Sequence, residues 1–184
     1  MPPAGTRPDA IAPTTAPNVL EWVCQQHGAR LVRTKVDAQS VMAAATHRDC
    51  VLAGDGAGGL IFPCFHPGMD ALFAIAKLNQ LLIAKGTRLS QVLDSLPSYY
   101  LEETAVPCPW EAKGKVMRIL SQQYQGHKER QVDGIRIDQG AGEWVLVLPD
   151  MDRPIFHVMA ESTSADGARD LRDKFASLVS NIQR

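Results

Sequence analysis

Residues 134–161 read GIRIDQGAGEWVLVLPDMDRPIFHVMAE, and their pattern decides the fold of the second half of the chain. Three short apolar runs follow one another: Gly134 to Asp138, Trp144 to Leu148 and Ile155 to Ala160. Each is rich in β-branched or aromatic residues and is bounded by turn formers, the signature of strands. The turn Gln139-Gly140-Ala141-Gly142 is too short for a crossover, so the first two runs are an antiparallel pair. Working outward, Pro109 to Tyr124 has helical spacing with a proline in its first turn. Tyr99 to Val106 alternates as a strand. Ser164 to Ile182 places Leu171, Phe175, Leu178 and Ile182 on one helical face. One strand, a helix, three strands and a helix predict a small α+β domain over 98–184: a four-stranded antiparallel sheet with helices on one face.

The first half has a different grammar. Asn18, followed three residues later by Glu21, starts a helix that stops at Gly28. Ala29 to Val36 is a strand candidate, and Ala38 to Ala45 a short helix. Cys50 to Ala53 and Leu60 to Phe62 are short strands around a glycine cluster. Met69 to Lys85 and Leu89 to Leu96 are helices, the first closed by Gly86 and read as buried because it is apolar throughout. These elements predict an α/β layer domain over 18–97. Residues 1–17 hold five prolines and read as a poorly ordered leader with room for one short strand around Ala10 to Ala12.

Composition narrows the function classes. The 184 residues are 45% hydrophobic with a formal net charge of -1, enough for a core and without a field that attracts nucleic acid or anionic membrane. The longest apolar stretch, Ala71 to Ala84, is interrupted by Lys77, Asn79 and Gln80 and is too short for a span. Four cysteines lie far apart with no C-x-x-C pair, as expected of reduced thiols, and no secretory leader is legible. The expected location is cytoplasmic.

Several segments, in order, resemble the second half of the α-D-phosphohexomutases, the family of phosphomannomutases and phosphoglucomutases. Arg33-Thr34-Lys35-Val36 resembles the R-T-K-V-G strand and turn of their third domain. VLAGDGAGGLIFP, residues 51–63, resembles the strand, G-E-x-S-G loop and strand that follow there, and Asp70-Ala71-Leu72 the D-G-x-x-x-A helix. Asp133 to Ile137 resembles the D-G-[VI]-[KR]-[VI] strand of the fourth domain. LPDMDRP, residues 148–154, stands where the family has R-P-S-G-T-E-P, and His157 to Glu161 resembles its R-V-x-x-E strand. The likeness covers about residues 10–182. In addition, CPWEAKGKVMR (108–118) and WVLVLPDMDRPIFHV (144–158) are similar to the C-terminal, mutase-like part of bacterial mannose-1-phosphate guanylyltransferase-type proteins.

The resemblance implies a specific chemistry and specific departures from it. Phosphohexomutases use a phosphoserine, a Mg²⁺ held by a D-G-D-A-D-R loop, and a clamp for the substrate's other phosphate. No segment of this sequence resembles the serine or the metal loop, so the Mg²⁺ of the full-length family has no expected ligands here and no cofactor is expected. In the sugar-recognition loop, Gly54 to Gly58, Asp55 takes the glutamate position and Ala57 the serine position. In the phosphate loop Leu148 stands for arginine, Asp150 for serine, Met151 for glycine, Asp152 for threonine and Arg153 for glutamate. After Val36, Asp37 replaces a glycine and Ala38 a polar contact residue. Two carboxylates in a loop meant for a dianion oppose it and Arg153 can offset only one; the rival reading is a substitute site built by Arg153 with Arg136 or Lys113.

Other patterns carry less. Gly54 to Gly59 fits G-x-G-x-x-G, but a strand, not a helix, follows, which removes the helix N-terminus a pyrophosphate needs. His47, Asp49, Cys50, Cys64, His66 and Asp70 match no metal spacing. Asp150 and Asp152 fit a solvated turn better than an acid pair. Trp22, Trp110 and Trp144 read as core anchors, with an interface as the alternative for Trp110. Two functions remain open: a non-catalytic module of sugar-phosphate or sugar-nucleotide metabolism, or the substrate-binding half of a working mutase. A free-standing sugar-binding protein is a third. The expected partners are the rest of a longer chain, a nucleotidyltransferase or mutase, or a second copy, with at most a weakly held sugar phosphate and neither nucleic acid nor membrane.

Overall fold

Pro8, Pro13 and Pro17 punctuate the start of the chain, yet the four residues between the first two belong to the centre of a sheet. In the computed structural model, which describes residues 7–47, 49–124 and 133–183, strand β1 (Asp9–Pro13) lies between β2 (Arg30–Thr34) and β3 (Cys50–Gly54), parallel to both. β4 (Leu60–Ile61) closes the far edge antiparallel to β3, giving the order β2-β1-β3-β4. The short strand expected around Ala10 to Ala12 is present as β1, while the poor order expected of the rest of the leader is corrected for residues 7–17; residues 1–6 lie outside the described residues. Proline composition misled because Pro13 sits at the strand's end, where a missing N–H interrupts little of the ladder. Burial of Ile11 and Ala12 and the bidentate Arg30–Asp9 pair, at 2.8 and 2.7 Å, hold β1 in place.

Helices α1 (Val19–Gln26) and α2 (Ala38–Ala45) link these strands. The core collects Ile11, Val41, Ala45, Cys50, Ala53 and Ile61. Asp37 caps α2: its carboxylate accepts from the Ser40 N–H and Oγ, both at 2.7 Å. Helix α3 (Ala71–Lys85) begins at the Asp70 cap and ends at Gly86, whose φ of 59° is the left-handed turn-off that the sequence predicts. The short α4 (Leu89–Asp94) follows. The reading of α3 as buried is corrected: none of its residues is buried, and Leu72 and Ile83 are 83% and 81% exposed.

A second compact unit starts at Tyr99. It contains β5 (Tyr100–Pro107), α5 (Trp110–Gln123), β6 (Ile135–Gly140), β7 (Glu143–Pro149), β8 (Ile155–Ser162) and α6 (Ala165–Gln183). The sheet order is β5-β8-β7-β6 and every pairing is antiparallel, as the strand spacing predicts. The β6–β7 turn reverses through Gly140, Ala141 and Gly142, all at positive φ. Val106, Ile135, Ile137, Val145, Val147, Phe156 and Val158 point to one face, where Val116 and Leu120 of α5 meet Phe175 and Val179 of α6. Gly134, at φ 69°, has no room for a Cβ, which would lie 2.5 Å from the Val147 carbonyl oxygen.

The opposite strand face holds a polar group. The Trp144 indole donates to Glu161 Oε1 at 2.9 Å, and the Arg136 guanidinium lies 3.7 Å above the Trp144 ring, all three side chains being fully buried. Trp144 is thus a core anchor, whereas Trp110, 50% exposed, is not. Phe156 is fully buried in the shared core of sheet and helices. Phe156→Ala should cost about 3–5 kcal/mol of stability, and Leu72→Ala on the exposed face of α3 at most about 0.5 kcal/mol. Equilibrium urea unfolding of the two variants beside the parent chain measures both.

Candidate functional site

The phosphate-loop positions stand on the turn between β7 and β8, and one side chain organises them. Asp150 Oδ1 accepts the backbone N–H groups of Asp152 at 2.9 Å and Arg153 at 2.8 Å. Its Oδ2 accepts from Arg153 Nε at 2.9 Å, with the second guanidinium nitrogen at 2.8 Å and His157 Nε2 at 3.0 Å. The Asp150 side chain is only 11% exposed, so this carboxylate is enclosed by the donors it gathers. Below the turn, the Lys113 ammonium donates to the carbonyl oxygens of Asp150 and Arg153 at 2.5 and 2.6 Å and lies 3.9 Å above the Trp110 ring.

Two backbone N–H groups and a guanidinium converging on one point are what an oxyanion needs. Here the chain's own carboxylate takes that place. Leu148, in the arginine position of the family loop, has no charge to offer. Met151 projects from the tip, 83% exposed, and Asp152 is exposed beside it. The structure therefore brings Asp150 and Arg153 together directly. Of the two other cations considered from sequence, Lys113 is committed to the turn's carbonyls and Arg136 to the Trp144 ring.

Sequence reasoning missed His157 and Glu103. His157 Nδ1 lies 2.8 Å from Glu103 Oε1, so each ring nitrogen faces a carboxylate. A signal was present: His157 holds the position of an arginine in the family's R-V-x-x-E strand. Its side chain shares the sheet face of Leu148, its partner across β7. The bond from His157, then the two backbone N–H groups and Arg153, hold the Asp150 carboxyl well below the usual carboxylate range.

The sugar-loop positions, Gly54, Asp55, Ala57 and Gly58, form the β3–β4 turn of the first unit. Asp55 again folds back on its own backbone. Its Oδ1 accepts the N–H groups of Ala57 and Gly59, both at 2.8 Å, and its N–H donates to the Gly59 carbonyl at 3.1 Å. Gly56 and Gly58 adopt φ of 78° and 111°. The turn leads into β4 and not directly into a helix. Among the described residues, no three His, Cys, Asp or Glu side chains converge to hold a metal ion. His47, Asp49, Cys50, Cys64, His66 and Asp70 are accordingly not gathered, and no step is assigned through a metal.

A mixed α/β sheet followed by a four-stranded antiparallel unit with helices defines a phosphohexomutase type of fold. Residues 4–100 match the family model "Phosphoglucomutase/phosphomannomutase, alpha/beta/alpha domain III", and the chain belongs to that family. It is 36% identical over 163 residues to a probable phosphoglucosamine mutase of Methanopyrus kandleri, covering 88% of this chain and 36% of the relative. It is 30% identical over 154 residues to a phosphoglucomutase/phosphomannomutase of Thermococcus kodakarensis, covering 83% and 34%. The chain thus spans about a third of the length of these relatives. Among solved structures, a phosphoglucomutase/phosphomannomutase family protein of Burkholderia thailandensis superposes with a TM-score of 0.76 at 21% identity, over 92% of this chain and 36% of that one. Among the described residues no helix is long and apolar enough to cross a membrane.

Because the Asp150 carboxyl is depressed by partners present only in the folded state, it stabilises the fold above the ordinary carboxylate pKa of about 3.9. That contribution is lost as the pH falls through the lowered value. Asp150→Asn should therefore melt below the parent near neutral pH, and the gap should narrow between about pH 4 and pH 2. Thermal melts followed by circular dichroism across that range check the sign.

Proposed function

We propose that this chain is a non-catalytic, phosphohexomutase-derived module of sugar-phosphate or sugar-nucleotide metabolism, working in the cytoplasm within or beside a longer mutase or mannose-1-phosphate guanylyltransferase-type protein. The observation that carries the reading is the Asp150 carboxylate, which occupies the backbone N–H groups and the guanidinium that a substrate phosphate would use. A free dianion has to displace a carboxylate with four donors and then sit beside Asp152. The self-closed Asp55 turn supports the same reading for the sugar: its carboxylate is spent on Ala57 and Gly59, and alanine offers no hydroxyl at the serine position. The guanylyltransferase connection rests on the likeness of residues 108–118 and 144–158. A second reading, the substrate-binding half of an active mutase, is favoured by the relatives named phosphoglucosamine mutase and phosphoglucomutase/phosphomannomutase. On that reading the substrate is a hexose or hexosamine phosphate.

Titration calorimetry with glucosamine 6-phosphate, mannose 1-phosphate, glucose 1-phosphate and inorganic phosphate separates the two. The module reading expects dissociation constants weaker than about 1 mM, less than about 4 kcal/mol of binding free energy, for all four. Arg153→Ala should change none of them. Micromolar binding of a sugar phosphate that Arg153→Ala abolishes would overturn the reading and restore the chain to substrate recognition.

A further inference from the structure

The sequence holds three Asp-Gly pairs: Asp55-Gly56, Asp133-Gly134 and Asp166-Gly167. In such a pair no side chain shields the glycine nitrogen, which can reach the aspartate Cγ and close a five-membered imide. The structure treats the three pairs differently. Gly134 is wedged against β7, where even a Cβ would lie 2.5 Å from the Val147 carbonyl oxygen, so the ring and the longer backbone it leaves have no room. Asp166 and Gly167 stand in the first turn of α6, and the Gly167 N–H donates to Ser164 Oγ at 3.1 Å. Helical backbone, with ψ of about −42°, turns each peptide nitrogen away from the side chain before it.

Asp55-Gly56 has neither restraint. It lies on the β3–β4 turn, Gly56 is exposed at φ 78°, and a Cβ placed there would meet nothing within 4 Å. Asp55 Oδ1 accepts the Ala57 and Gly59 N–H groups, both at 2.8 Å, which keeps the side chain folded over its own turn. Two N–H donors on one carboxyl oxygen also form the arrangement that stabilises an oxyanion when a nucleophile adds to that carbon.

We infer that Asp55 is a site of spontaneous covalent modification, where the native chain isomerises to isoaspartate through a succinimide while Asp133 and Asp166 stay intact. The Gly56 nitrogen attacks Cγ of the protonated carboxyl and gives its proton to solvent, and Oδ1 becomes the oxyanion between the Ala57 and Gly59 N–H groups. The carbonyl then re-forms, the Cγ–Oδ2 bond breaks, and Oδ2 takes a proton and leaves as water. One water is lost and nothing is oxidised or reduced. A second water adds to either imide carbonyl. Opening at Cγ restores aspartate, and opening at the backbone carbonyl leaves the main chain running through Cβ and Cγ, one methylene longer. That methylene falls where the Asp55 N–H donates to the Gly59 carbonyl, so the modified turn no longer closes β3 on β4 in register.

The test is incubation of the chain at neutral pH in ¹⁸O-water, native and in urea, followed by peptide mapping with electron-transfer fragmentation, which distinguishes isoaspartate from aspartate at each position. In the native chain, isoaspartate and ¹⁸O at position 55 should exceed those at 133 and 166 by at least about tenfold, and should form faster at 55 than in urea. In urea the three pairs should converge to within about threefold, since the unfolded ensemble removes what separates them. Asp55→Glu, which could close only a slower six-membered ring, should abolish the signal from its peptide. Slower conversion at 55 in the native chain than in urea overturns the inference, by showing that the Oδ1 bonds lock the carboxyl instead of activating it. Comparable native conversion at 133 or 166 overturns it as well.

Discussion

The β7–β8 turn depends on one carboxylate enclosed by its donors. Asp150 must be ionised and surrounded for the turn to keep its shape, because the backbone N–H groups of Asp152 and Arg153 and the Arg153 side chain all point at it. The constraint spreads from there. His157 is fixed between Asp150 and Glu103, which ties the turn to β8 and β5. Lys113 is drawn to the carbonyls on the other side of the same turn, which fixes the start of α5.

The β3–β4 and β7–β8 turns close by the same route. A short acidic side chain placed two to four residues before exposed N–H groups hydrogen-bonds its own backbone, the preference that puts aspartate in turns generally. Asp55 does this to Ala57 and Gly59, and Asp150 to Asp152 and Arg153. Glutamate, one methylene longer, closes such a ring poorly and is left to reach outward. In both turns the aspartate draws the backbone donors inward. Other residues that match family motifs also serve packing. Gly134 admits the β7 backbone, and Arg136, Trp144 and Glu161 form one buried polar group.

The antiparallel unit was largely legible because its signals are local: alternation in each strand, a glycine turn between two of them, and a clean helical face at Leu171, Phe175, Leu178 and Ile182. The central place of β1 was not, since parallel partners lie far along the chain and its flanking prolines read as disorder. The exposure of α3 could not be read either. Apolar periodicity says that a helix wants cover, not that the cover belongs to the same domain. At the site, the identities of Asp150, Asp152 and Arg153 gave the sign of the electrostatics. The direction in which Asp150 turns, and its link through His157 to Glu103, needed the register of β5 against β8.

The claim that the phosphate loop is closed on itself is tested most directly by following the Asp152 and Arg153 amide resonances in ¹⁵N-labelled protein during two titrations. Inorganic phosphate at near-neutral pH should leave both amides unmoved up to about 20 mM, as expected where no phosphate binds with millimolar affinity. Acidification should leave both in place through the usual carboxylate range and move them together only further down, where Asp150 takes up its proton. A saturable shift of the two amides at submillimolar phosphate, with Arg153 Nε moving in step, would contradict the account.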